Sequence, residues 1–381
     1  MKQIDRPRTL LVTNDFPPTI GGIQSYLRDF ANTCDPDSLV VFASTQDAPA
    51  ARAYDAAQGY TVYRWPGSIL LPTPRVAARM RDIIRAENIE TVWFGAAAPL
   101  ALMGQEAKKA GARRVVATTH GHEVGWSMLP VARQALRRIG SSADTITYIS
   151  DYTRRRLEPA SGGHPKPEWV HLPSAVSTDA FTPAAPEEKE RAREKLHLPV
   201  DAKIILCVSR LVARKGQDQL VRAMDIVKRK HPQAQLVIVG EGPYKDTLLE
   251  LKRMYDPTVR FVTAADTASL VDAFHAADIF AMPARTRGGG LDVEGLGIVY
   301  LEAQAAGLPV IAGKSGGAPE TVTQESGFVV DGRVVQEVAA GIVTLLDSPE
   351  LRRRMGQAGR AHVTSKWTWD AMGRRLAHAL M

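Results

Sequence analysis

Short apolar runs rich in β-branched residues alternate along the chain with longer stretches rich in Ala, Arg and Leu, and this alternation limits the possible folds most. The predicted strands are Thr9–Thr13, Leu39–Ala43, Thr61–Arg64, Thr91–Trp93, Val115–Thr118, Thr145–Ile149, Ile204–Val208, Gln235–Val239, Val259–Val262, Ile279–Met282, Pro309–Ala312 and Gly327–Val330. Apolar strands separated by helices are typical of parallel sheets covered on both faces. The series breaks once, between the sixth and seventh strands, so we predict two doubly wound α/β domains.

The length of the chain agrees with two domains, because 381 residues exceed the roughly 100–200 that one core usually holds. The segment Thr182–Glu190, TPAAPEEKE, is rich in Pro and charge, as linkers are. We therefore predict domains over residues 1–181 and 182–366, with residues 367–381 crossing back to the first domain.

Composition restricts the possible partners and location. No run approaches the roughly 18 apolar residues of a membrane helix, the apolar part of the N-terminus is only Leu10–Val12, and the two cysteines, Cys34 and Cys207, lie far apart. These features favour the reducing cytosol. The net charge of +7 favours an anionic partner, but aromatic content is 6% and no nucleic-acid-binding motif occurs, so we expect no nucleic acid.

The first predicted strand runs into NDFPPTIGGIQSYL, a loop that leads into a helix. Gly21 and Gly22 permit a ligand to approach the backbone, and Gln24 in the first helical turn would face the same ligand. A simple turn is the alternative. The dinucleotide fingerprint G-x-G-x-x-G is absent, which weakens a dehydrogenase interpretation.

A second loop, THGHEVGW, follows the strand Val115–Thr118. His120, His122 and Glu123 are residue types that bind metals, but no further ligand cluster is apparent. A structural role and a substrate contact are the other interpretations. Because His120 lies nearer the strand end, it is the better candidate for a substrate contact, and we predict no metal site.

The loop SRLVARKGQD follows the first strand of the second domain. Arg210 and Lys215 lie on it, before a helix predicted from about Gln217. Two cations beside a helix N-terminus suit a diphosphate. A solvated basic loop is the alternative. The segment AGKS resembles the end of a P-loop, but Leu308 occupies the position of the first glycine, so that match fails.

The most specific segment is MPARTRGGGLDVEGLGIVYLEAQAAGLPVIA. If Glu294 lies in a loop and Glu302 on the following helix, the two carboxylates contact opposite ends of an extended nucleotide-sugar. Gly295 and Gly297 permit a tight turn, and the amides from about Gly297 to Val299 can open onto phosphate oxygens. A glycosidase pair of carboxylates is the alternative, but it needs no diphosphate pocket.

Together, Glu294-x7-Glu302, the SRL…RKG loop, the N-terminal GG loop and THG resemble glycosyltransferase family 4, which has the GT-B fold. The longer segments NDFPPTIGGIQSYLRDF, WFGAAAPLALM and THGHEVGWSMLP closely resemble actinobacterial GDP-mannose-dependent phosphatidylinositol monomannoside mannosyltransferases. The resemblance covers Thr9 to about Trp369. It implies two Rossmann-like domains facing a central cleft, the first binding the acceptor and the second GDP-mannose.

The resemblance also implies a reaction and residue roles. A retaining α-mannosyltransferase would transfer mannose from GDP-mannose to an inositol phospholipid glycoside without a metal cofactor. Arg210 and Lys215 would hold the diphosphate, Glu294 the mannose and Glu302 the ribose. His120 would lie beside the reacting sugar. The remaining site residues implied are Gly21 and Gln24 toward the acceptor, and Gly22, Ala265, Gly297, Ile298 and Val299 toward the donor.

Two departures from the family pattern affect these expectations. The family linker PNGVD reads here Pro173–Ser177, PSAVS, and the base loop F-x-G reads Phe261–Thr263, FVT. A transferase that uses a UDP-sugar and an inositol-type or thiol precursor, and a non-catalytic protein that binds anionic membranes, remain as alternatives.

Arginines flank an apolar stripe in PTPRVAARMRDIIRAENI, and they suggest how such an enzyme reaches a lipid. The arginines are Arg75, Arg79, Arg81 and Arg85, and the stripe is Val76, Met80, Ile83 and Ile84. We expect peripheral binding to an anionic membrane surface at the inner face of the plasma membrane. An ordinary amphipathic helix that packs its stripe on the sheet is the other interpretation.

Overall fold

The computed structural model describes residues 7–162 and 166–381. The chain forms two compact units. The N-terminal unit runs to Ser174 and includes Trp369–Met381, and the C-terminal unit is Ala175–Thr368. The division therefore falls a few residues before the predicted boundary at 181/182.

The N-terminal unit contains a seven-stranded sheet in which every pairing is parallel. Its strands are β1 Thr9–Thr13, β2 Leu39–Ala43, β3 Thr61–Arg64, β4 Thr91–Phe94, β5 Arg114–Thr118, β6 Thr145–Tyr148 and β7 Glu168–His171. Their order is β3-β2-β1-β4-β5-β6-β7. The order reverses between β1 and β4, and the carboxyl ends at such a point are where open α/β sheets bind ligands.

Helices connect these strands. They are α1 Gly22–Ala31, α2 Ala48–Ala56, α3 Pro74–Ala86, α4 Gly104–Ala110, α5 Val124–Met128, α6 Pro130–Ser142 and α7 Asp151–Ser161. The apolar stripe of α3 is buried in the core cluster that includes Leu10 and Val92. The core-packing interpretation of this stripe is confirmed, so the stripe is not available to a membrane. The burial follows from α3 crossing over from β3 to β4 on one face of the sheet.

The C-terminal unit contains a six-stranded parallel sheet in the order β10-β9-β8-β11-β12-β13. Its elements are α8 Pro186–Lys195, β8 Lys203–Val208, α9 Gln217–Lys230, β9 Ala234–Val239, α10 Lys245–Tyr255, β10 Arg260–Val262, α11 Thr267–Ala276, β11 Ile279–Met282, α12 Ile298–Ala305, β12 Val310–Gly313, β13 Gly327–Val330, α13 Val335–Asp347 and α14 Pro349–Lys366. The strand order reverses between β8 and β11. Because ligands of open α/β sheets bind at such a point, the loops after these two strands are candidates for the binding site.

The C-terminal helix α15, Trp369–Leu380, belongs to the N-terminal unit. The Oγ1 hydroxyl of Thr91 donates to the Leu380 carbonyl at 2.9 Å, and the Nε of Arg114 donates to the Ala379 carbonyl at 2.9 Å. At the other end of the helix, the ring of Trp369 meets Phe30 edge to face, with centroids 5.3 Å apart. These contacts fasten α15 to β4, β5 and α1.

The predicted α/β class with two doubly wound parallel sheets is confirmed. Two local predictions were wrong. Most of the supposed linker Thr182–Glu190 enters α8, because Pro186 suits a first helical turn and the Glu188 carboxylate accepts the Ala185 backbone N–H at 2.8 Å. Strand β7 was missed because it is a four-residue edge strand with Glu at one end and His at the other. In residues 7–162 and 166–381, no helix is long and apolar enough to cross a membrane.

Candidate active site

The loop after β8 carries Arg210 and then a 3-10 turn, Ala213–Lys215. The turn ends at Gly216, whose φ of 77° lies in the left-handed region, and a Cβ there would overlap the Pro283 carbonyl oxygen. Pro283 directly follows β11, the strand beside β8. The turn therefore packs directly against the loop after β11, and only a residue without a Cβ permits this contact.

Glu294 lies before α12, in the loop after β11, and two basic side chains contact its carboxylate. The Lys215 ammonium is 2.7 Å from Glu294 Oε2, and a terminal nitrogen of Arg214 is 3.0 Å from the same oxygen. Arg214 Nε also pairs with Asp292 Oδ1 at 3.1 Å. Arg210 forms no ion pair with any residue that the structure describes, so its guanidinium is available for a ligand.

None of these three ion pairs was predicted from the sequence. Arg214 and Asp292 were not among the predicted site residues, and Lys215, which is predicted to hold a diphosphate, contacts Glu294. Eighty residues separate Arg214 from Glu294, so no local spacing signals the pair. The nearest sequence signal was the unusual density of charge in ARKGQD and RTRGGGLDVE.

The backbone of Glu294 is fixed by the loop after β12. Its N–H donates to Ser315 Oγ at 3.2 Å, and its carbonyl accepts the Gly317 N–H at 2.9 Å. A Cβ at Gly316, where φ is 54°, would overlap that carbonyl. The AGKS segment, rejected as a P-loop, thus serves to hold the glutamate.

Helix α12 begins at Ile298 after Gly297, whose φ of 89° is left-handed. The first amides of a helix lack intrahelical partners, so the N–H groups of Ile298 and Val299 are suited to phosphate oxygens. Glu302 lies one turn further along and is largely buried. Its carboxylate has no hydrogen-bond or ion-pair partner in the described part of the chain, and burial raises its pKa from 4.5 to about 7. An unpartnered buried carboxylate is suited to accept hydroxyl groups of a ligand.

A pocket of about 460 Å³ lies within the C-terminal unit at these loops. Its lining residues are Arg210, Val212, Ala213, Arg214, Pro243, Tyr244, Arg287 and Asp292. They come from the loops after β8, β9 and β11. Ala265 is exposed in the loop after β10, the edge strand beyond β9, and it is not among the lining residues.

In the N-terminal unit, Gly21, Gly22 and Gln24 follow β1. A Cβ at Gly22 would meet nothing within 4 Å, so the backbone there is open to a ligand. Gln24 is held by Asp15, whose Oδ1 accepts the Gln24 Nε2 hydrogen at 3.0 Å. Asp15 was not predicted from the sequence as a site residue.

His120 follows β5, and its Nε2 lies 2.6 Å from the Gly95 carbonyl, at the end of β4. Because a carbonyl only accepts, this contact places the ring hydrogen on Nε2 and leaves Nδ1 as an acceptor when the ring is neutral. Burial lowers the pKa of His120, which favours that neutral form. The buried carboxylate of Glu123 accepts the His120 backbone N–H at 3.0 Å through Oε2, and its Oε1 lies 3.5 Å from His122 Nε2.

Among the described residues, no group of three or more His, Cys, Asp or Glu side chains is arranged to hold a metal ion. His120, His122 and Glu123 are instead joined by the backbone hydrogen bond, the contact between Glu123 and His122, and ring stacking between the two histidines.

Two family models together match most of the chain. The model for glycosyl transferases group 1 matches residues 188–362, and the model for Glycosyltransferase Family 4 matches residues 20–180.

Full-length relatives match as well. The GDP-mannose-dependent monoacylated alpha-(1-6)-phosphatidylinositol monomannoside mannosyltransferase of Corynebacterium glutamicum is 58% identical, over 98% of this chain and 97% of the relative. The GDP-mannose-dependent alpha-(1-6)-phosphatidylinositol monomannoside mannosyltransferases of Mycolicibacterium smegmatis and Mycobacterium tuberculosis are 52% and 51% identical. Each match covers at least 97% of both proteins.

Solved structures agree on the fold. Anabaena HepE in complex with UDP aligns over 98% of this chain and 99% of its own, with a TM-score of 0.80 and 18% identity. Sucrose-phosphate synthase from Thermosynechococcus elongatus aligns over 97% and 98%, with a TM-score of 0.75 and 20% identity. The GT-B fold expected from the sequence is thereby confirmed. On the full-length identity and the matched family models, the chain belongs to glycosyltransferase family 4.

Proposed function

We propose that this enzyme transfers mannose from GDP-mannose to a phosphatidylinositol monomannoside, giving the α-(1-6)-linked dimannoside. The observation that carries the proposal is the identity of 51–58% to relatives of that activity over nearly the whole chain. The C-terminal unit supplies matching chemistry, because its loops after β8 and β11 and the start of α12 carry a guanidinium without an ion pair, free helix amides and two carboxylates.

The donor would bind along the loops after β8 and β11. Arg210 and the amides of Ile298 and Val299 would contact the diphosphate, with Lys215 beside them. The unpartnered carboxylate of Glu302 would accept the ribose hydroxyls. Glu294 would bind the mannose, and Ala265 would contact the base through its backbone.

Catalysis would rest mainly on stabilising the departing GDP. Arg210 and the positive end of α12 face the charge that develops on the diphosphate as the glycosidic bond breaks. The resemblance implies retention through a same-face displacement, in which the departing phosphate assists the incoming hydroxyl. Neither Asp292 nor Glu294 needs a metal ion in this scheme, since Arg214 and Lys215 already supply their counter-charges.

The acceptor would bind on the N-terminal unit, near the carboxyl ends of β1, β4 and β5. Gly21, Gly22 and Gln24 lie after β1, and the ring of His120 is fixed on the Gly95 carbonyl. In its neutral form His120 offers Nδ1 to a sugar hydroxyl. We assign this histidine to the acceptor side of the reaction.

Attachment to an anionic membrane is the remaining part of the proposal. Arg75 and Arg85 of α3 are exposed, whereas Arg81 pairs with Glu106 at 2.6 Å, so the first two are the better cations for headgroups. Exposed apolar side chains lie in the segments that follow β1, β3 and β5, which include α5 and the first turn of α6. They are Ile20, Ile69, Leu71, Met128, Leu129 and Val131. These segments, and not the buried stripe of α3, would supply the apolar contact with the membrane.

A transfer assay tests the function. Purified enzyme is incubated with labelled GDP-mannose and phosphatidylinositol monomannoside, and the lipid product is separated and its linkage determined. A labelled dimannoside supports the proposal. Transfer only from a UDP-sugar, or only to a soluble inositol derivative, would establish the alternative transferase, and binding to anionic vesicles without any transfer would indicate the non-catalytic alternative.

A further inference from the structure

Arg214 links two carboxylates that stand two positions apart in the loop after β11. Its Nε pairs with Asp292 at 3.1 Å and its terminal nitrogen with Glu294 Oε2 at 3.0 Å. Lys215 adds a second cation to Glu294 Oε2 at 2.7 Å. The other oxygen, Glu294 Oε1, accepts no hydrogen bond from any residue the structure describes. The two oxygens of one carboxylate are thereby made unequal.

The backbone around Arg214 is held by the same loop that carries the two acids. The Arg214 carbonyl accepts the Arg285 N–H at 2.8 Å, and the Arg285 guanidinium pairs with Asp218 at 2.9 Å, with both of these side chains largely buried. Farther along, Arg287 and Asp292 exchange backbone hydrogen bonds of 2.8 and 3.2 Å. The residues that hold the Arg214 backbone and the two carboxylates that its side chain contacts therefore belong to one connected network. This network restricts the rotamers of the Arg214 side chain.

The charged side chains of this network carry a net positive charge. Arg214, Lys215 and Arg287, whose guanidinium lies 3.9 Å from Asp292, carry three positive charges, and Asp292 and Glu294 carry two negative charges, so these side chains sum to one positive charge. Arg210 adds a further cation to the pocket, and it pairs with no carboxylate among the described residues. Without Arg214 the group would sum to zero, and Glu294 would lose one of its two restraints.

We propose that Arg214 is a positioning residue for the donor sugar: it holds Glu294 Oε2 and Asp292 so that Glu294 Oε1 is presented to the sugar hydroxyls. This inference rests on the proposed GDP-mannose donor. Because Arg214 acts through Glu294, its effect belongs to the mannosyl part of the donor and not to the nucleotide. A pre-oriented acceptor oxygen binds a hydroxyl group without further loss of side-chain freedom.

Calorimetric titration of GDP and of GDP-mannose separates these two parts. We expect Arg214→Ala to leave the Kd for GDP within about twofold of the wild type and to raise the Kd for GDP-mannose about tenfold, the loss of one charge-assisted contact. Arg214→Lys should fall between the two, because one ammonium reaches only one carboxylate. Arg229→Ala removes an exposed pair with Asp225 on α9 and should change neither Kd.

The outcomes distinguish a positioning role of Arg214 from direct binding of the diphosphate and from no role in donor binding. Equal weakening of GDP and GDP-mannose by Arg214→Ala would make Arg214 a diphosphate ligand and overturn the proposal. Unchanged affinity for both would overturn it as well, and in either case GDP-mannose would stand as the donor. A wild-type enzyme that binds GDP but gains nothing from the mannosyl group would overturn the proposed donor and this inference with it. A melting temperature near that of the wild type shows that the variant is folded.

Discussion

Glu302→Gln is a sharp test of the donor site, because it separates the stability of the free enzyme from its affinity for GDP. The Glu302 carboxylate is largely buried on α12 and has no partner among the described residues. Burial raises its pKa from 4.5 to about 7. Gln has nearly the same shape but carries no charge, so the change removes the cost of burying a carboxylate while altering packing little.

The magnitude and the sign follow from the pKa. A rise from 4.5 to about 7 corresponds to about 3 kcal/mol at about 1.4 kcal/mol for each pKa unit, and this is an upper value because the side chain is not fully enclosed. The pKa is raised on folding, so the folded protein holds the proton more tightly than the unfolded chain. The stabilisation is complete below pH 4.5 and is lost as the pH rises through about 7. The Gln variant does not suffer this loss.

The assay is a series of thermal melts of the ligand-free proteins between pH 5 and pH 8.5. We expect the variant to melt only about 2 °C above the wild type near pH 5, and higher by up to about 5–10 °C at pH 8. Glu250→Gln, on the exposed face of α10, is the control and should show no difference that grows with pH. With saturating GDP at pH 8, the difference in melting temperature between the variant and the wild type should shrink or change sign, because only the carboxylate accepts both ribose hydroxyls well.

Two results would refute the reasoning. A difference in melting temperature that stays constant from pH 5 to pH 8.5 would mean that Glu302 is not a buried carboxylate with a raised pKa. An unchanged Kd for GDP in Glu302→Gln and in Glu302→Ala would mean that this residue does not bind the ribose.

The remaining predictions concern the charged site and its backbone. Arg210→Ala should lower kcat/KM for mannose transfer by about 100-fold, since the departing diphosphate loses its uncompensated cation; steady-state kinetics with a near-normal value would remove Arg210 from that role. Glu294→Ala should spare the Kd for GDP but abolish most transfer, and equal losses of GDP binding in this variant and Glu302→Ala would contradict the division between sugar and ribose. Gly216→Ala should cost several kcal/mol in urea unfolding, because the added Cβ would overlap the Pro283 carbonyl at a left-handed φ.

Much of the fold could be read from the alternation of apolar runs and helical segments. The predicted strands appear in the structure, most with ends within one residue. Strand β7 escaped because only one of its four residues, Val170, is buried, which leaves little apolar signal. Helix α8 escaped because Pro and Glu mark linkers and helix N-termini alike, and only the packing of the following residues distinguishes them.

The sequence by itself determined the two parallel α/β units, the family and the candidates Arg210, Lys215, Glu294, Glu302 and His120, because strand periodicity and motif spacing are local properties of the chain. Only the tertiary structure decided how these candidates are paired. It placed Lys215 and the unpredicted Arg214 on Glu294, and it left Arg210 without an ion pair and Glu302 without any partner among the described residues. The physical reason is that a sheet brings together loops far apart in sequence at the carboxyl ends of neighbouring strands, and the order of those strands sets which charges meet and which stay available to a ligand.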